Sequence, residues 1–404
     1  MAGSLGFAPL VTPNPFIKQY LMTAGPTPVP PRVSQVMAEP VLYHRAPAFA
    51  EVLASVLEKL RPVFQTENDV LVFPASGTGA MESAVANLVR PGRRVLACAA
   101  GKFGERWSEL CEAYGADLVR YEPGWGERLD PAEIEAKLDG VEVVFATLSE
   151  TSTGIVHDVQ AIADVVRTAG AILVVDAVSG LGAAELRQDA WGVDVVVGGS
   201  QKALMCPPGL AFASVSQRAL DDAAAPGPHP PGRYYFDWGK TAKAQRKSPP
   251  DTAFTPAVTI IRGLDVALDM IHAEGLENVL ARHALLARAT RAGAHALGLE
   301  LFGDPDERAN VVTAIAMPDD VDGGKVPGAL RRLGITANGG QEQLKGRILR
   351  IAHCGYFGAF DIVTSLSGLE MVLAQLGYDL ELGAGVGAAQ RVFVEAGVAA
   401  APAG

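Results

Sequence analysis

The chain is short of cysteine, histidine and basic charge. Its 404 residues include four cysteines and seven histidines. Cys98, Cys111, Cys206 and Cys354 stand apart with no CxxC spacing, which argues against a zinc ribbon and against a disulfide framework. Reduced thiols in a cytoplasmic protein are the plain expectation. No two histidines form an HxxxH or HExxH pair, so no metal site is expected. Lysine and arginine total 34 against 45 acidic residues, a net charge of −11. Such a chain presents no global basic field to nucleic acid or to an anionic membrane, though a local anion pocket stays open to it. No apolar run approaches a membrane span. No charged segment followed by an apolar core opens the chain, and Ala-Pro-Ala-Gly at its end is not a peroxisomal address, so neither a secretory nor a peroxisomal signal is expected.

What is present is a chain that is 49% hydrophobic and long enough for a large core and two domains. Residues 1–20 lack periodicity and read as an arm. "TAGPTPVPPRV" (Thr23 to Val33) is dense in proline and must be extended or turning. From about Phe49 to Phe64 a helical pattern appears, and then strands and helices alternate. "DVLVF", "RRVLACA", "VEVVFAT", "AILVVDA" and "VDVVVGG" are short β-branched runs of the kind buried on both faces of a mostly parallel sheet. Between them, "PASGTGAMESAVANLV", "FGERWSELCEAYG" and "VQAIADVVRTAG" read as helices, the second ended by Gly115. Asp130, Pro131 and Glu133 predict a capping box at another helix start. This alternation predicts an α/β layered fold. Between about 221 and 256 the pattern breaks into Pro-rich, aromatic-studded sequence, which in a compact protein marks function or an interface. A smaller α+β part is expected toward the C-terminus, carrying strands in "NVVTAIAMP" and "ILRIAHC". After Glu381 an Ala-rich helix and a frayed tail are expected.

Four features lie where a strand ends. Ser76-Gly77-Thr78-Gly79 joins a strand to a helix, and its free N–H groups suit a phosphate; an ordinary tight turn is the alternative. It matches neither a Walker loop nor the dinucleotide fingerprint. Asp176 closes "AILVVD", facing the crevice where open α/β sheets bind ligands, unless it is a cap or turn residue. Lys202 follows "VDVVVGG"; a desolvated lysine is a nucleophile for carbonyls, but taken alone a solvated lysine beyond a strand is the commoner case. Phe103, in "AAGKFGERW", could stack on a planar ring or belong to the core. An anion cradle, a stacking face, a carboxylate and an amine on one sheet edge are what pyridoxal phosphate needs.

The residues resemble the class V aminotransferases of pyridoxal-phosphate fold type I, most closely the alanine/serine–glyoxylate (or pyruvate) branch. "TAGPTPVPPRV", "HRAPAF", "PASGTGAMESAVANLV", "GKFGERW", "ETSTGI", "VDAVSGLGA", "GGSQKALMCPPGLAF", "FTPAV" and "LRIAHCG" carry the resemblance, from Leu21 to about Gly377. It implies a large three-layer α/β/α domain with a mostly parallel sheet over 21–275, and a smaller C-terminal α+β domain over 276–404. It implies that Lys202 forms the Schiff base with pyridoxal 5′-phosphate and that Asp176 partners the pyridine nitrogen. Phe103 takes the stacking position, often a Trp in the family. Gly77, Thr78 and Gln201 fall at phosphate-binding positions, and Thr151 at the one that contacts the cofactor's phenolic oxygen. Thr255 matches a residue that reaches the phosphate from the neighbouring subunit, which implies a homodimer with shared active sites. Arg350 matches the clamp on the substrate carboxylate, with Arg347 as its rival, and Gly25 belongs to a loop lining the substrate pocket. His44 and Arg45 lie in a stretch near the active site and carry no assigned role.

The activity implied is transamination of a small amino acid, alanine or serine, with a 2-oxo acid, glyoxylate or pyruvate. An aspartate-type transaminase would need a second cation, for which Arg45 and Arg233 are candidates. A pyridoxal-phosphate lyase or desulfurase is a further alternative, with Cys206 as a conceivable sulfur carrier. A binding or accessory subunit without turnover is the alternative from another class.

Overall fold

The computed structural model describes residues 17–227, 233–303 and 308–398. Residues 1–16 of the expected arm and the last six residues of the expected tail lie outside them. Seven strands share one sheet: β1 (Asp69–Phe73), β2 (Arg94–Cys98), β3 (Asp117–Tyr121), β4 (Val143–Thr147), β5 (Ile172–Asp176), β6 (Val195–Gly199) and β7 (Ala211–Val215). Their order is β1-β7-β6-β5-β4-β2-β3. Only β7 runs against its neighbours. The other six strands therefore finish on one edge, and the loops that follow them meet there.

The β-branched runs make this sheet because both its faces are covered. Every residue of β4, β5 and β6 is buried. Val144, Leu173, Val175 and Val196 point into one core, with α1 (Pro47–Phe64), α4 (Val159–Thr168) and α5 (Val258–Glu274) packed over it. Phe145, Val174, Val195 and Val197 point the opposite way, under α2 (Gly77–Leu88) and α3 (Lys102–Ala113). Alternate residues thus feed two cores from one strand, each buried Val or Leu contributing about 1.5–3 kcal/mol. The result is the α/β layered fold that the alternation predicts, in the three-layer α/β/α form that the resemblance implies.

A second core stands on α6 (Leu276–Ala296), β8 (Val312–Ala316), β9 (Asn338–Gly339), β10 (Ile348–Ala352), α7 (Ala359–Gln375) and α8 (Ala384–Glu395). The three strands form an antiparallel sheet in the order β8-β10-β9. Met22 and Ala24 join this core, and Tyr20–Leu21 pairs in parallel with Ile335–Thr336. The N-terminal stretch thus leans on the C-terminal half before entering the large sheet.

Two local expectations need correction. Asp130 caps its helix through Ala132 N at 2.9 Å, but Glu133 turns to Lys137 instead of closing the box. The segment 221–256 is less irregular than its prolines suggest. It holds a helix, Trp238–Gln245, capped by Asp237 through Lys240 N at 2.8 Å. Trp238 is fully buried and its indole N–H donates to Ser83 Oγ at 3.2 Å, so tertiary burial fixes a helix that local composition hides. Residues 228–232 of that segment lie outside the described residues.

Candidate active site

The loops at the C-terminal edge of the large sheet enclose a cavity. Ser76, Gly77, Thr78, Met81, Phe103, Arg106, Thr151, Asp176, Val178, Ser179, Gln201 and Lys202 line it. Every element in that set starts just beyond a strand: α2 after β1, α3 after β2, the Thr151 turn after β4, Asp176 at the tip of β5, and Gln201-Lys202 after β6. A larger, more open cleft of about 580 Å³ lies beside Phe302, Met317, Arg347 and Tyr378. It contains no lysine, and we place the chemistry in the smaller cavity.

At one end of the cavity, α2 begins with no side chain capping it. Its first N–H groups and the positive end of its dipole are available to an anion. Gly77 allows this close approach: a Cβ there would lie 2.7 Å from Val178 Cγ1 and 2.8 Å from Cγ2. Gln201 lines the same cavity, and its buried Oε1 has no hydrogen-bond partner in the structure. A phosphate accepts, so the Gln201 NH2, not its orphaned Oε1, is the group that fits one beside the uncapped helix start.

Further along stand the stacking face, the carboxylate and the amine. Lys202 Nζ lies 6.0 Å from the Phe103 ring centre, leaving room for a flat ring against the phenyl face. Asp176 is buried and accepts from Val178 N at 2.8 Å. Burial is the main force that raises its pKa to about 6, with Glu150 adding to it and Arg106 and Lys202 opposing. Lys202 is half-buried at the wall, and its amine donates to Ala24 O at 2.5 Å. Desolvation lowers the lysine's pKa, which favours the neutral, nucleophilic amine. Gly25 is required here for two reasons: its φ is +141°, and a Cβ would fall onto Lys202 Nζ and Cε.

Arg350 and Arg347 separate cleanly. Arg350 is 5% exposed in the middle of β10, whereas Arg347 is exposed before the strand begins. Arg350 Nε donates to Gly339 O at 3.0 Å and Nη1 to Thr151 O at 2.8 Å. Two backbone carbonyls thus aim the guanidinium; neither Arg350 nor Gly25 is among the lining residues, and Arg350 borders the cavity through its bond to Thr151, which is. Burial lowers its pKa to about 10, still high enough to keep the charge at neutral pH.

The remaining expected residues lie elsewhere in this chain. Thr255 is exposed and absent from the cavity lining. His44 packs edge-on against Tyr43. Arg45 pairs with Asp251 and with Thr252 O, and Arg233 donates to Ala223 O at 2.8 Å. Neither is among the residues lining the cavity in this chain. Arg106 does line it, one helical turn beyond Phe103, with its guanidinium 5.4 Å from the Phe103 ring centre. Cys206 is buried against Ile260 O at 3.6 Å, and burial pushes its pKa up to about 12, which holds it as an inert thiol.

A family model described as aminotransferase class-V matches residues 19–352. The chain belongs to that family. Among curated relatives, it is 43% identical to the soluble hydrogenase small subunit of Synechococcus sp. (strain PCC 6716), covering 93% of this chain and 98% of that one. It is 36% identical to the L-aspartate–glyoxylate aminotransferase of Paracoccus denitrificans (strain Pd 1222), over 93% and 96%. It is 35% identical to the serine–glyoxylate aminotransferase of Methylorubrum extorquens (strain ATCC 14718 / DSM 1338 / JCM 2805 / NCIMB 9133 / AM1), over 94% and 96%. The solved structure of ureidoglycine–glyoxylate aminotransferase from Bacillus subtilis superposes with a TM-score of 0.90 at 33% identity, covering 96% of this chain and all of that one. This class-V aminotransferase has the fold type I architecture, and its family depends on pyridoxal phosphate.

Two residues at or next to the cavity, Arg106 in its lining and Glu150 beside Thr151, have no place in the sequence expectations. Arg106 and Glu150 both sit inside the quoted stretches "GKFGERW" and "ETSTGI", but no periodicity singles out either. One signal was available: a charged residue one turn after Phe103 on the same helix must share the face that Phe103 presents.

Proposed function

We propose that this aminotransferase binds pyridoxal 5′-phosphate in the Phe103–Lys202 cavity and moves the amino group of alanine or serine to glyoxylate or pyruvate. The observation that carries the reading is the set itself: a desolvated amine, a buried carboxylate, a ring face and an uncapped helix start, all lining one cavity. When bound, the cofactor supplies an electrophilic carbon for the amine and an electron-withdrawing ring. Gly77, Thr78 and Gln201 would hold its phosphate. Asp176 would hold a proton on the ring nitrogen, and Thr151 would donate to the phenolic oxygen. Arg350 clamps the carboxylate of the incoming amino acid, which fixes the Cα–H toward Lys202. Lys202 Nζ then takes the Cα proton as a base and returns it as an acid, so one side chain serves both directions. Glyoxylate as acceptor draws support from the relatives named for it.

The smaller assignments belong to the same reading. We assign 21–275 and 276–404 as the two domains, and a homodimer in which Thr255 reaches the other subunit's phosphate. Four unpaired, buried cysteines accord with the cytoplasm. No helix among the described residues is long and apolar enough to cross a membrane.

A second reading has its own observation. Arg106 lines the cavity and makes no hydrogen bond or ion pair among the described residues, so it could take the second carboxylate of aspartate. The relative named for aspartate and glyoxylate supports it. A desulfurase draws no support from Cys206. The hydrogenase-subunit relatives raise the accessory-protein alternative, but a chain without turnover has no need of a desolvated Lys202 beside Asp176. Lys202→Ala tests the proposal. The variant should lose the visible band of the lysine-bound cofactor and all alanine–glyoxylate turnover; retained turnover sinks the assignment. Comparing bleaching by alanine, serine and aspartate in the wild type separates the two donor readings.

A further inference from the structure

Glu150 is a carboxylate with 0% exposure that no step above uses. Its Oε2 accepts from Gly104 N at 2.9 Å and from Phe103 N at 3.2 Å. Its Oε1 accepts from Ser152 N at 3.1 Å and from Ser152 Oγ at 2.5 Å. Ser152 Oγ in turn accepts from Lys102 N at 3.1 Å. The residue flanking α3, Gly101, offers no side-chain cap. The first three N–H groups of α3 are therefore satisfied by a different loop, the one after β4. Gly101 permits that approach, since a Cβ there would stand 2.5 Å from Ser152 Oγ and 2.6 Å from Glu150 Cδ.

The next residue carries the connection onward. Thr151 lines the cavity, and its carbonyl accepts from Arg350. Glu150 is also the acidic group whose charge helps hold the buried Arg350 guanidinium in its protonated form. One carboxylate thus joins the helix that presents Phe103, the turn that presents Thr151, and the strand that presents Arg350. Three of its four hydrogen-bond partners are backbone N–H groups, which can only donate. Four donors converging on its two oxygens favour the ionised carboxylate, and these bonds oppose the burial that raises its pKa. A neutral amide would turn an NH2 against N–H groups.

We propose that Glu150 is a positioning residue that acts as a buried anion, holding the Phe103 face and the Arg350 clamp in one register. The part concerning Arg350 rests on the function proposed above. Glu150→Gln keeps the shape and removes the charge. In the cofactor-free protein, amide hydrogen exchange over residues 101–105 should speed up about tenfold or more, with residues 172–176 of β5 unchanged. In the loaded enzyme, KM for the amino donor should rise about tenfold while kcat changes less, because Arg350 binds and Phe103 only supports. Wild-type exchange at 101–105, or a wild-type KM, overturns the proposal. If Glu150→Gln does not fold, Ser152→Ala removes two bonds, the one Ser152 Oγ donates to Glu150 and the one it accepts from Lys102 N, and leaves the charge. It should accelerate exchange at Lys102 and leave KM within about twofold; a KM rise of about tenfold in Ser152→Ala contradicts the role given to the charge. The exchange measurement needs no cofactor or substrate, so it stands even if wild-type protein fails to react with any amino acid, a result that would refute the function and not the Glu150 contacts.

Discussion

Burial shifts the pKa values of Lys202 and Asp176 in opposite directions, both toward the neutral form, and the pH prediction follows from the sign. An acid whose folded pKa is about 6 against an ordinary 3.8 holds its proton longer folded than unfolded. Below about pH 4 both states are protonated and the group is neutral to stability. As pH rises from about 4 through 6 the unfolded chain releases the proton first, so stability falls. Above 6 the folded protein carries a penalty of about 2–3 kcal/mol from this one group. Asp176→Asn should therefore raise the melting temperature of the cofactor-free protein at pH 7, and the gain should vanish near pH 4, while transamination is lost. Calorimetry at the two pH values checks it; equal gains at both would show that the cause is not ionisation. Arg350 makes the companion prediction. Arg350→Lys keeps a charge but loses the planar fork, so KM for alanine should rise about ten- to a hundredfold, the cost of about 1.5–3 kcal/mol for a charge-assisted pair. Steady-state kinetics that showed an unchanged KM would remove Arg350 from the substrate site.

Helices and strands deliver these side chains, and glycine decides how near two elements come. Gly77 sets α2 against Val178, so Gly77→Ala must push the uncapped helix start away from the cavity. Cofactor affinity should drop about tenfold or more by titration, with little change in global stability. Gly293 does the same for the second core. A Cβ there would fall onto Leu366 Cδ1 and lie 3.0 Å from Gly385 O, where α6 meets α7 and α8. Gly293→Ala should destabilise by about 1–3 kcal/mol in denaturant unfolding, since backbone cannot give way as a side chain can. The elements themselves were plain in the sequence. "DVLVF" and "ILVVD" announce buried strands because both faces of the sheet are covered. Trp238–Gln245 was hidden, because its helix depends on Trp238 filling a distant core rather than on local pattern.

The whole chain adds what no single element holds. Lys202, Asp176, Phe103 and the Ser76–Gly79 turn could be gathered from sequence, since consecutive strand ends of a parallel sheet must share an edge. Arg350 against Arg347 could not be decided, because the facing of β10 depends on its pairing with β8. Glu150 was illegible because its meaning lies in contacts between loops far apart in sequence, whereas Arg106 had its helical spacing from Phe103 as a signal. Assembly is the remaining property at this scale. Val41, Tyr43 and Tyr234 are 72%, 67% and 77% exposed, which accords with the proposed homodimer. Sedimentation should give a particle of about twice 42.2 kDa, and a monomer mass would undo the shared-site reading of Thr255. Most directly, nitrogen-15 alanine and unlabelled glyoxylate can be incubated with the loaded wild-type protein and with Lys202→Ala, and the glycine formed can be weighed by mass spectrometry. Lys202-dependent transamination predicts labelled glycine from the wild type and none from the variant; unlabelled glycine, label released as ammonia, or labelled glycine from both proteins would contradict it.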